Sequence, residues 1–70
     1  MKVFIVEEGE FCEGAVVRGV FSTYEKALKY VETHYPSDRW HIERTNEERE
    51  QPYRWEYGCD YVEIGEYGVE

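Results

Sequence analysis

Residues 19–30 read GVFSTYEKALKY, and the period of their apolar positions changes partway along. Upstream, residues 15–21 are rich in β-branched side chains. Strict alternation there puts Val17, Gly19 and Phe21 on one face and Val16, Arg18 and Val20 on the other. Downstream, Tyr24, Ala27, Leu28, Val31 and Tyr35 recur at helical spacing and form one apolar stripe. Glu25, Lys26, Lys29 and Glu32 fill the opposite face, with Glu25 and Lys29 a favourable pair one turn apart. Ser22 followed by Glu25 has the form of a capping box, the hydroxyl accepting an early helical amide proton and the glutamate reaching back. Phe21 then stands where a hydrophobic staple belongs, and Pro36 disfavours helical geometry at Tyr35, which predicts the helix end. The switch from strand to helix is therefore written in local chemistry. It specifies a fold and no reaction.

Working outward, Val3 to Val6 is a continuous apolar run, which predicts a strand near the sheet centre or covered on both faces. The segment EEGEFCEG, residues 7–14, reads as a hairpin connection too short for a parallel crossover, so its flanking strands should pair antiparallel. Beyond the helix, RWHIERT at 39–45 alternates Trp40, Ile42 and Arg44 with His41, Glu43 and Thr45, predicting a half-buried strand. Residues 46–51 are polar and read as a loop or one helical turn capped by Thr45 or Asn46. Pro52 opens YRWEY, with Tyr53, Trp55 and Tyr57 on one face and Arg54 and Glu56 on the other. Gly58-Cys59-Asp60 predicts a three-residue turn into YVEIGEYGV. The expected architecture is α+β: an antiparallel sheet of four or five strands with one helix packed on one face. Its element order is ββα followed by β strands, in a single domain over residues 1–70. Two pairings of the strands after residue 45 fit the pattern equally.

Seventy residues leave room for one core, which a chain this short often supplements with a disulfide, a metal or a second chain. Seven Tyr, three Phe and two Trp supply large buried area per residue, and the excess of Tyr places many rings at a half-wet margin. Sixteen acidic residues against eight basic ones give a net charge of −8, which argues against nucleic-acid or anionic-membrane binding and favours a basic partner. The N-terminal apolar stretch is too short for a secretory signal, and no run reaches membrane-spanning length. A cytoplasmic setting is expected, with Cys12 and Cys59 as reduced thiols.

The pattern KVFIVEEGE, a short loop, then VVRGVFSTYEKALKYVE resembles a family of small uncharacterised phage and prophage proteins. In these a hairpin is followed by a GVFSTxEKA helix and closed by an acidic strand, to which DYVEIGEYGVE is similar. The resemblance covers about residues 2 to 32. It implies a hairpin-plus-helix fold and brings no catalytic residues. The layout of residues 3–44 is similar also to that of the small T7 phage inhibitor of bacterial RNA polymerase.

Cys12, His34, His41 and Cys59 lack the close pairing of zinc ligands, so no metal or other cofactor is expected. Cys12 sits between Glu10 and Glu13, which disfavour a thiolate nucleophile, and no phosphate-binding glycine loop occurs. No catalytic residue is assigned. The candidate partner-binding residues are Glu7, Glu8, Glu10 and Glu13 of the first hairpin, Glu56, Asp60, Glu63 and Glu66 near the C-terminus, and Trp40 and Trp55. If the last strand lies beside the first hairpin, these acids form one negative face. Arg39, Arg44, Arg49 and Arg54 interleave with aromatics, a weak signature of single-strand binding that neighbouring glutamates cancel. The expectation is a small acidic non-enzymatic protein that binds a host protein with a basic surface, for instance a nucleic-acid-handling enzyme that it inhibits. The alternatives are a domain that pairs with itself through an exposed strand edge, as a homodimer, and a weak single-strand binder through Trp40, Trp55 and the arginines.

Overall fold

The computed structural model describes residues 1–69. Its elements are β1 (Lys2–Glu10), β2 (Ala15–Phe21), α1 (Tyr24–His34), β3 (His41–Asn46), β4 (Gln51–Tyr57) and β5 (Asp60–Gly68). The five strands form one antiparallel sheet in the order β2-β1-β5-β4-β3, so the last strand is inserted at the centre. β1 and β5 pair without a break from Lys2↔Gly68 to Glu10↔Asp60. This register sets Val6 against Ile64, and Trp55 of β4 against Val62. Side chains that lie opposite each other in a ladder share a face.

The core follows from that register. Val6, Val62, Ile64 and Trp55 of the sheet enclose Tyr24, Ala27, Val31 and Tyr35 of the helical segment, with Phe4, Phe21, Leu28, Tyr30, Trp40 and Tyr53 at the margin. Val6, Ala27, Val31 and Val62 have no exposed surface. The stripe expected of the helix is the stripe it buries. The Tyr24 hydroxyl reaches past the core and donates to the Pro52 carbonyl at 2.6 Å, tying the helix start to β4.

Several local expectations are corrected. The helix is capped by Thr23, whose extended backbone lets its hydroxyl accept from Lys26 N at 3.2 Å. Ser22 instead accepts from the Lys26 ammonium, so no Ser22–Glu25 capping box forms. β1 runs on through Glu10, leaving only residues 11–14 as the hairpin loop. Alternation along β2 is broken by a bulge: Gly19 pairs with Val6 but Val17 with Glu7, leaving Arg18 as the extra residue. Val17 and Val20 therefore share the face of Ile5 and Glu7, and Val16 shares the opposite face with Glu8. β3, expected to be half-buried, is exposed at every position because it is the outermost strand beyond the reach of α1. Residues 47–50 are a turn in which the Asn46 side chain accepts from the amides of Glu48 and Arg49. The β4–β5 connection has two residues, with Tyr57 paired directly to Asp60 and Gly58 at φ 62°, which glycine adopts without steric cost.

Val62→Ala should lower the unfolding free energy by about 2 kcal/mol, because it opens a cavity under the helix at a fully buried site. Val17→Ala, at a position 59% exposed, should cost less than about 1 kcal/mol. Urea unfolding of the two variants beside the parent checks the contrast; equal losses would mean that the open face of the sheet is buried as well.

Candidate protein-binding surface

The β1–β2 loop and the β4–β5 turn meet at one end of the sheet, where Phe11 N donates to the Cys59 carbonyl at 3.1 Å. Glu13 N closes the loop onto the Glu10 carbonyl at 3.1 Å. Beneath this end, Glu8, Gly9, Glu10, Glu13, Gly14, Val16, Arg18 and Asp60 line a depression of about 250 Å³. Four of these residues are acidic and one is basic. Glu8 forms the back wall: its Oε1 accepts from Arg18 Nε at 3.0 Å and from the Tyr35 hydroxyl at 2.7 Å. Among the described residues, Glu10, Glu13 and Asp60 form no ion pair, although Glu10 and Asp60 are direct cross-strand partners. Like charges set opposite each other cost stability unless something offsets them. The cup is thus an unneutralised negative site.

The other side of the same end is built differently. Arg54 donates to Glu56 at 2.9 Å and to Glu63 at 2.7 Å, and these two hydrogen bonds raise the guanidinium pKa further. Its guanidinium also lies 4.3 Å from the Tyr61 ring centroid and 5.8 Å from that of Phe11. Phe11 leans on Tyr61 with ring centroids 6.0 Å apart, yet it remains 54% exposed. This large apolar ring and the unpaired carboxylates thus occupy the two sides of one end of the sheet, an apolar contact and a charged one on the same loop and turn.

The sequence candidates are thereby sorted. Glu10, Glu13 and Asp60 come together, with Glu8 behind them engaged by Tyr35 and Arg18. Glu7 pairs across the sheet with Glu63 on the face away from the cup. Glu56 and Glu63 are neutralised by Arg54. Glu66 is opposite Phe4, about 20 Å along the strand from Asp60. There it pairs with Arg49 and Lys2, and the Arg49 hydrogen bond leads in holding its carboxyl below the usual range. The single negative face expected from adjacency of β5 and the first hairpin is therefore divided between two ends and two faces. Trp55 is 6% exposed within the core and has no surface to offer a partner or a stacked base. Trp40 is partly buried, set edge-on between Tyr35 and Tyr57. Of the arginines in residues 39–54, Arg49 and Arg54 are spent on carboxylates.

Phe11, Arg18, Tyr35 and Arg54 were not among the partner-binding candidates. An aromatic set among four glutamates in residues 7–14 was the available signal for Phe11. The roles of the others depend on cross-strand register. Among the described residues, no group of three His, Cys, Asp or Glu is arranged to hold a metal ion, and Cys12 and Cys59 are exposed thiols. No helix among them is long and apolar enough to cross a membrane.

The family described as a domain of unknown function (DUF7336) matches residues 1–70. The chain belongs to that family. No curated protein and no solved structure matches it. The cup and the Phe11 shelf are thus features of a DUF7336 domain read from its own geometry.

Burial, with added repulsion from Glu32 and Glu25, pushes the Tyr24 hydroxyl from 10.0 to about 12. Burial and the hydrogen bond to Glu8 raise Tyr35 as well. Since both folded values lie above the unfolded one, the stability they carry is complete below pH 10.0 and is lost as pH rises beyond it. An alkaline absorbance titration should show two late phenol ionisations coincident with unfolding, one removed by Tyr24→Phe and one by Tyr35→Phe. Phenolate formation complete before about pH 11 in the parent would contradict this.

Proposed function

We propose that this protein is a non-enzymatic binding domain that docks its hairpin end onto a basic surface of another protein. The observation that carries the reading is the contrast in charge handling. Carboxylates at Glu56, Glu63 and Glu66 are neutralised within the chain, while Glu10, Glu13 and Asp60 are left together without a cation. A surplus serving only solubility has no need to be concentrated at the end of the sheet that also exposes a phenylalanine. In this reading the cup receives a lysine or arginine of the partner, and Phe11 supplies an apolar contact from the other side of the same loop. The phage-type pattern of the first half of the chain points to a host protein. A cluster of carboxylates suits a groove that otherwise holds phosphates, so a nucleic-acid-handling enzyme is the expected target, and its occupancy by this domain is inhibitory.

The test is affinity capture from bacterial lysate by the tagged protein, beside a Glu10→Gln, Glu13→Gln, Asp60→Gln variant and a Phe11→Ser variant. The expected result is a specific protein retained at low salt, released by single-stranded oligonucleotide, and lost by both variants. A partner held equally by all three forms, or none held by the parent, would remove the proposal.

A further inference from the structure

The two outer edges of the sheet are unlike each other. β3 is polar, HIERTN, and its pairing to β4 is broken by two register shifts, both of which discourage strand addition. β2 is AVVRGVF, with Val16 52%, Val17 59% and Val20 59% exposed, and its outer backbone edge carries no partner among the described residues. The only charged residue of β2, Arg18, is already neutralised by Glu8 at 3.0 Å. This edge is apolar and electrically quiet in a chain of net charge −8.

The bulge at Arg18 selects what can add to it. The extra residue shifts the phase of β2 by one, so Val17 and Val20 lie on the same face of the sheet. A regular strand aligned with residues 15–17 falls out of phase beyond Arg18. A second copy related by a two-fold axis between Arg18 and Gly19 stays in phase on both sides, because it carries the same extra residue at the matching place. Val17 then lies opposite Val20 of the second copy, and Val16 opposite its Phe21, pairing β-branched and aromatic residues across the junction. Charge agrees with this arrangement. Glu13 precedes one end of β2, and the Lys26 ammonium sits on Ser22 at the other, 3.2 Å from its hydroxyl. Antiparallel pairing brings Glu13 of each copy beside Lys26 of the other, twice in the assembly.

We infer that β2 is a self-association edge, along which two copies pair antiparallel about a two-fold axis between Arg18 and Gly19 to make one continuous ten-stranded sheet. Two seven-residue edges cover less than the roughly 1,200–2,000 Å² of a standard stable interface, so the dimer is weak and forms with rising concentration. The inference shares Glu13 with docking at the hairpin end, but its test needs only the purified protein, so the failure of one does not decide the other.

Sedimentation velocity over a hundredfold range of concentration tests it. The parent is expected to pass from monomer to dimer. Val20→Lys, at an exposed site that leaves the core intact, weakens association by about tenfold or more; Val17→Lys does the same from the other side of the axis. Glu13→Lys and Lys26→Glu each weaken it by about threefold, the size expected for exposed ion pairs, and the two changes together restore it. A parent that stays monomeric overturns the inference. So does a dimer that survives both lysine variants, or one in which the charge exchange fails to rescue.

Discussion

The unbroken pairing of β1 with β5 is the interaction on which the rest of the structure depends. It joins the two ends of the described chain over nine residue pairs and is free of the register shifts that interrupt the β1–β2 and β3–β4 ladders. Through it, Val6 comes beside Ile64 and Glu8 beside Val62, which creates the apolar floor that α1 covers. Without β5, the β1–β2 hairpin and the β3–β4 hairpin have no contact, because neither pairs with the other directly. The helix and the sheet therefore become stable together, after a long loop has been closed.

The same register organises the charge. Antiparallel pairing puts Asp60 beside Glu10 and carries Glu66 to the far end, where Lys2 and Arg49 meet it. On the face away from the helix, Arg54 collects Glu56 and Glu63 and supports the rings of Tyr61 and Phe11. Glu10, Glu13 and Asp60 gather at one end without an ion pair, against a wall formed by the Glu8, Arg18 and Tyr35 network. That wall is continuous with the core, since Tyr35 is itself 8% exposed and packs beside Val31. The cup is thus held by buried structure although its rim lies on a loop and a turn.

Much of the fold was legible in the sequence because it is encoded locally. The α1 stripe, the antiparallel first hairpin and the strand through YRWEY follow from period and turn chemistry alone. Thr23 rather than Ser22 caps the helix because two adjacent hydroxyl residues offer the same signal, and the length of β2 decides between them. The Arg18 bulge was hidden because valines occupy both phases on its N-terminal side, so alternation there carries no information. The fates of Trp40 and Trp55 depend on which strand lies under the helix, a long-range fact that no local window contains. For the same reason the acidic candidates could be named but not divided: their grouping is set by the β1–β5 register. Arg54 looked like part of a basic stripe, and only pairing with β5 shows that Glu63 faces it.

The central claim is that Glu10, Glu13 and Asp60 form one addressable basic-docking surface within an otherwise diffuse negative charge. The most direct test follows backbone amide resonances of the isotope-labelled protein while a short arginine- and leucine-containing peptide is added at low salt. The account predicts shifts concentrated at residues 8–16 and 57–61, saturable and reversed by added salt. Equal shifts at Glu25, Glu32, Glu43 and Glu47, acids on α1, β3 and the turn after it, would contradict it and leave the charge as a property of the whole surface.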